Sequence, residues 1–191
     1  MLDKTFFTKV FKQNSDDVAG RRKIISESSN ALHWSKQSIF ALQRGKKIEA
    51  KDRLADANKA LISLDKRFGK DGKLRSEGSW KAAVEEYLEA KFFADFMAGK
   101  KITGIKDFPV LSEEYLGALS DLTGEIVRMM VLWTTKGKIK DVKDAGEIVH
   151  ATLHELMQSD YRGYLRTKFD QAKRNLQKSE SILYDLSIRD K

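Results

Sequence analysis

The sequence predicts an all-α fold: one domain over residues 1–191, built as a bundle of six to seven antiparallel helices. Three observations carry this. The chain holds one Pro and 12 Gly in 191 residues, which leaves few breakers. Ala, Leu, Lys, Glu, Arg and Gln, the strong helix formers, fill most windows. Apolar residues recur at helical spacing over long runs, with no internal repeat and no low-complexity segment between them.

The first helix is expected from about Asp16 to Gly45. There Val18, Ile25, Leu32 and Ile39 recur every seven residues, and Ile24, Ala31 and Leu42 widen the stripe. The second spans about Ile48 to Phe68, where Leu54, Ala57, Leu61, Leu64 and Phe68 stand three and four apart. Gly69 to Ser76 reads as a loop. The third helix covers about Glu77 to Lys100, with Trp80, Val84, Tyr87, Leu88 and Phe92 as its main apolar face. The fourth runs from Ser112 to about Thr135. Ser112 serves as N-cap, Glu113 and Glu114 sit in the first turn where the helix dipole favours acids, and Gly137 follows the end. Its core stripe is Tyr115, Leu119, Leu122, Ile126, Met129 and Trp133.

The fifth helix spans about Val142 to Gln158 and the sixth about Tyr161 to Ile188. The last carries a heptad seam of Leu165, Phe169, Ala172, Leu176, Ser179, Leu183 and Leu186. Such a seam fits a helix packed inside its own domain and equally a subunit interface.

With 36 Lys and Arg against 28 Asp and Glu, the formal charge is +8. A surplus of this size points to an anionic partner, although Lys on helical surfaces also serves solubility alone. The absence of Cys excludes disulfides and thiolate metal sites. No stretch approaches the roughly 18–20 apolar residues of a membrane span. The N-terminal Met-Leu-Asp-Lys-Thr-Phe-Phe lacks the long apolar run of a secretory signal. A soluble, cytoplasmic protein is expected, with no membrane partner.

Against this basic background four acids stand out. Glu86 and Glu89 are three apart on the third helix, and Asp121 and Glu125 are four apart on the fourth. Each pair points to one side of its helix, with Cβ atoms about 5–6 Å apart. The side that carries Glu86 and Glu89 otherwise holds Ala82, Ala90, Phe93 and Met97 and little other charge. Asp121 and Glu125 border the core stripe beside Ala118 and Leu132, with Gly117 and Gly124 on the adjoining side. Each Gly costs about 1 kcal/mol against Ala in a helix interior. What it provides is room for another helix or a ligand.

Antiparallel packing of the two helices would bring the four carboxylates together. Four such groups raise one another's pKa unless a cation neutralises them. Hard oxygen ligands suit Mg²⁺ or Mn²⁺, and such an ion can hold a phosphodiester oxygen and acidify an attacking water. The alternative is a set of surface acids paired with Lys91, Arg128 and Lys36.

Other constellations are incomplete. Glu147-Ile148-Val149-His150 is a single Glu-x-x-His, whereas di-iron bundle chemistry needs two. His150 and His154 lack the His-Glu-x-x-His order of zinc proteases and read as a structural or solvent-facing pair. No phosphate loop or dinucleotide fingerprint occurs. Arg21, Arg22, Lys23, Lys36, Arg44, Lys46 and Lys47 cluster on and after the first helix and suit salt-sensitive phosphate contacts. Trp34, Tyr87 and Tyr115 can stack on bases, but aromatics on apolar stripes more often belong to the core.

At these residues the chain resembles the translin family, specifically its translin-associated factor X branch. The run Tyr115-Leu116-Gly117-Ala118-Leu119-Ser120-Asp121-Leu122-Thr123-Gly124-Glu125-Ile126-Val127-Arg128 is similar to that branch's Tyr-Leu-Leu-Gly-Val-Ala-Asp-Leu-Thr-Gly-Glu-Leu-Met-Arg. Glu86-Tyr87-Leu88-Glu89-Ala90 resembles its Glu-Tyr-Val-Glu-Ala, and Ser35 to Arg44 resembles its Ser-Lys-Arg-x-Ile-Phe-x-Leu-His-Arg. Gln37 and Gln43 stand where that last motif has basic residues.

The resemblance implies an α-helical subunit of an octameric barrel, either a homo-oligomer or a hetero-oligomer with a translin-like partner. It also implies binding of single-stranded RNA and DNA. It further implies a Mg²⁺-dependent endoribonuclease whose catalytic and metal-holding carboxylates fall on Glu86, Glu89, Asp121 and Glu125. Lys36, Arg21, Arg22, Arg44 and Arg128 are the expected nucleic-acid contacts. Two other readings stand beside it: a non-catalytic oligomer that binds single-stranded nucleic acid, and a helical scaffold for acidic proteins.

Overall fold

Residues 2–70 and 72–189 are described by the computed structural model, and their regular structure is entirely helical. The order is α1 (Lys4–Gln43), α2 (Lys47–Phe68), α3 (Lys73–Ser76), α4 (Gly78–Met97), α5 (Ser112–Thr134), α6 (Ile139–Leu156) and α7 (Gly163–Arg189).

The largest departure from the sequence pattern is the start of α1, at Lys4 rather than Asp16. Asp3 caps it, its Oδ1 accepting from the Thr5 and Phe6 amides at 2.9 and 3.1 Å. The first buried residue is Ile24, and before it Phe6, Val10, Phe11 and Val18 are exposed. The stripe therefore meets the rest of the protein only from Ile24 onward, and Val18 and Ile25 within it stay exposed. The expected loop at 69–76 contains the single turn α3, anchored by the fully buried Leu74; Asp71 within it lies outside the described residues. Ser112 is the first helical residue of α5 and not its cap. The Glu114 carboxylate instead reaches back to accept from the Leu111 amide at 2.8 Å.

The helices form two groups of three long members, each running up, down and up. In the first, a tight turn through Gly45 (φ 75°) reverses α1 into α2, and α4 returns beside α1. In the second, α5, α6 and α7 pack on one another. Residues 98–111 join the groups without regular structure. Phe108 in this crossover is buried against Trp80 and Tyr87 at ring distances of 5.9 and 5.8 Å, so the chain travels back along α4 before α5 begins. Near the start of α5, Arg75 Nη1 meets Glu114 at 3.3 Å, and at the far ends Phe96 meets Trp133 at 6.1 Å. Helices α4 and α5 therefore run in the same direction and not antiparallel as expected. The crossover, longer than a hairpin connection, makes this direction accessible.

Helix α4 is central. Trp80, Val84, Leu88, Phe92 and Phe93 are fully buried, and each such side chain contributes about 1.5–3 kcal/mol. The heptad seam of α7 is used within the chain: Ala172, Ser179 and Leu186 are buried against α5 and α6. The suggested stacking aromatics belong to the interior. Tyr87 is buried, Tyr115 meets Phe92 edge-on at 5.0 Å, and Trp34 packs on the core. His150 and His154 face solvent. Among the described residues no helix is long and apolar enough to cross a membrane.

Candidate acidic site between the helix groups

The seam between the two groups gathers the acids. Helix α4 brings Glu85, Glu86 and Glu89, and α5 brings Asp121 and Glu125. From α1 come Lys36 and Gln43, and from α7 come Tyr164, Lys168 and Gln171. The four carboxylates read from the sequence lie near enough to perturb one another, and each has its pKa raised, in every case chiefly by burial. Helical spacing placed each pair on one side, and the docking of α4 on α5 joins the pairs.

The four differ in how their charge is met. Glu86 pairs with Lys36 at 3.7 Å. Glu125 pairs with Arg128 at 3.7 Å and accepts from the Gln43 amide. Asp121 pairs with Lys168 and accepts from Gln171 Nε2 at 3.5 Å. No described residue hydrogen-bonds or ion-pairs with Glu89, which is 9 % exposed. Burial first, then the charges of Glu86, Asp121 and Glu125, push its pKa up to about 9. Glu89 therefore keeps its proton at neutral pH.

Two expected partners, Lys36 and Arg128, do pair with the cluster, while Lys91 pairs with Asp95 instead. With cations and Gln43 interposed, no group of three or more His, Asp or Glu among the described residues stands as a ready-made metal cage.

Sequence reasoning missed a further set. Glu85 pairs with Lys168 at 2.8 Å and accepts from the Tyr164 hydroxyl. Gly117 makes this seat: a Cβ there would lie 2.8 Å from the Glu85 carboxyl carbon. Gly124 admits Asn175, whose amide donates to Thr123 Oγ1 at 2.8 Å. Burial opposes the charged form of Lys168, but hydrogen bonds to Asp121 and Glu85 outweigh it and hold its pKa above the ordinary lysine value. The available signals were the acid next to Glu86, the paired glycines and a lysine beside the α7 seam, none of which names its partner.

The expected nucleic-acid residues do not form one patch. Lys36 and Arg128 border the acid cluster. Arg21 pairs with Glu77 at 2.8 Å, Arg44 with Glu49 at 3.7 Å, and Arg22 is exposed. At about 1.5 Å per residue, Arg21 lies roughly 22 Å along α1 from Lys36. A surface cavity of about 830 Å³ follows the crossover past Asp65, Phe108 and Tyr115, and no carboxylate of the cluster lines it.

Comparison with known proteins gives a consistent fold. Residues 12–190 match the Translin family. Among solved structures, the crystal structure of apo-NeC3PO matches at a TM-score of 0.86 with 18 % identity, covering 96 % of this chain and 97 % of that one. The AfC3PO–duplex RNA complex matches at 0.84 with 19 % identity and the same coverage. AfC3PO by itself matches at 0.83 with 20 % identity, again over 96 % and 97 % of the two chains. No curated protein matches the chain.

Proposed function

The chain belongs to the translin family, and from that premise and the acid cluster we propose that it is a Mg²⁺- or Mn²⁺-dependent endoribonuclease of the factor X type. Its substrate is single-stranded RNA, cut to leave a 5′-phosphate, and it works in the cytoplasm as a subunit of an octameric barrel. The observation that carries the reading is Glu89: a buried carboxyl with no partner among the described residues, raised to about pKa 9 beside three more carboxylates on two helices. Such a group costs stability whenever it ionises, unless a cation joins it.

The donor set fits a hard divalent ion, with Glu86, Glu89, Asp121 and Glu125 as the holding residues. A bound ion would supply positive charge at the scissile phosphate and acidify a water there. Glu89 would lose its proton to water on binding the ion and hold the ion as a carboxylate. Lys36 and Arg128, each 53 % exposed at the side chain, are free to turn from Glu86 and Glu125 toward a phosphate oxygen. The net charge of +8 favours an anionic chain of any base sequence, single-stranded DNA included. A protein of the same fold is described in complex with duplex RNA, which supports a nucleic-acid partner here.

One observation favours a second reading, a non-catalytic oligomer that binds single-stranded nucleic acid. Glu86, Asp121 and Glu125 already have cations of their own. Labelled single-stranded RNA with Mg²⁺ or EDTA separates the two. The enzyme cuts only with metal, still binds RNA in EDTA, and loses at least about a hundredfold in rate as Glu125→Gln. Full-rate cleavage by that variant overturns the catalytic assignment, and binding without any cleavage selects the second reading. Light scattering during size exclusion tests the assembly.

A further inference from the structure

Among the described ion pairs, Lys168 is the one cation that joins two carboxylates from two different helices, Glu85 of α4 and Asp121 of α5. Its side chain is 17 % exposed, against 53 % for Lys36 and for Arg128. The other two cations can swing into water. Lys168 cannot leave without stranding two acids whose side chains are 13 % and 15 % exposed.

The seat of Lys168 does not depend on Asp121. Glu85 holds it at 2.8 Å, and the ring of Tyr164 lies 5.3 Å from its ammonium. Tyr164 in turn donates to Glu85, and Gly117 gives the Glu85 carboxylate its room. These contacts hold Lys168 beside Glu85, and Asp121 meets the same ammonium from α5.

We propose that Lys168 is the internal counter-ion of the acid cluster. It holds Asp121 while no metal is bound and yields Asp121 to a divalent cation while staying with Glu85. Lys168 is thus a positioning residue, and Glu85 is its anchor instead of a fifth ligand. This rests on the metal-dependent reading above.

The two members of this pair then have opposite effects. Lys168→Met frees Asp121 and leaves Glu85 unneutralised, so the cluster attracts a cation more strongly. Glu85→Gln leaves Lys168 to Asp121 alone, so a cation competes less well. An opposite or like charge at this range shifts such an equilibrium by about tenfold. Mn²⁺ titrated into the full chain, with free Mn²⁺ read by electron paramagnetic resonance and folding checked by circular dichroism, tests this without any turnover. The expected result is Mn²⁺ bound about tenfold tighter by Lys168→Met and about tenfold weaker by Glu85→Gln. Lys168→Arg, which keeps the charge, stays near wild type. A purely structural role weakens both of the first two variants. Mn²⁺ bound by Lys168→Met no tighter than by a wild type that does bind it overturns the counter-ion role alone. No Mn²⁺ retained by the wild type or any variant overturns the metal-dependent reading itself.

Discussion

The two sides of the acid cluster meet the same burial in opposite ways. On the α4 side no described residue ion-pairs with Glu89, the more distant charge of Lys168 does not offset its burial, and it keeps its proton. On the α7 side Asp121 and Glu85 share Lys168. A buried acid can withhold its charge or have it neutralised, and the choice decides what it responds to. Glu89 responds to pH and, under the metal-dependent proposal, to an incoming cation, and the Lys168 pair responds to loss of its lysine.

The change that breaks this contrast most severely is Lys168→Met, which leaves two largely buried carboxylates without a cation. It is expected to cost about 3 kcal/mol at pH 8, read by urea unfolding in EDTA. The same substitution at Lys36, 53 % exposed, costs under about 1 kcal/mol.

The α4 side of the comparison is tested by its pH dependence. Glu89 releases its proton near 4.5 when unfolded and near 9 when folded. Between these values the folded state binds more protons, so stability is full below the lower one and falls as pH rises through the upper one. The slope from this group is at most about 1.4 kcal/mol per pH unit. The raised values of Glu86, Asp121 and Glu125 add to it in the same direction. Urea unfolding from pH 5 to 9 is expected to show the decline in the wild type and a flatter line for Glu89→Gln.

Gly117→Ala sharpens the comparison from the other side. The methyl group displaces the Glu85 carboxylate, while the helix gains about 1 kcal/mol in propensity, so net stability changes by less than that. The diagnostic is coupling: Glu85→Gln, costly in the wild type, adds little once Gly117→Ala is in place, as a double-mutant cycle reads. Smallest is Arg21→Ala. Its pair with Glu77 has a 67 % exposed guanidinium and is expected to contribute about 0.3 kcal/mol in urea unfolding, screened by salt.

The sequence made the four carboxylates legible because helical periodicity is local: residues three and four apart share a side whatever the tertiary fold. The Asp-Leu-Thr-Gly-Glu run supplied the family, and the matched region of residues 12–190 agrees with it. Helix boundaries from α2 onward, the short α3 aside, fall within three residues of the pattern for the same reason. What stayed hidden was long-range or unpatterned. Lys168 is 47 residues from Asp121 and reads in sequence as one more surface lysine. The first turns of α1 do carry Phe6, Phe7, Val10 and Phe11 at helical spacing, but these pack against no other helix among the described residues, and the helix expected from sequence begins at Asp16. The direction of α5 depends on the path of an extended connection, which periodicity does not encode.

That connection also orders events in time. Within each three-helix group, chain neighbours meet across short links. The contacts that close the seam join residues 82 apart for Gln43 with Glu125 and 79 apart for Glu85 with Tyr164. Contacts this distant in sequence carry a large loop-closure cost, so the closing of these two over the acids is expected late in folding. Substitutions among them should therefore quicken unfolding and leave the folding rate nearly untouched.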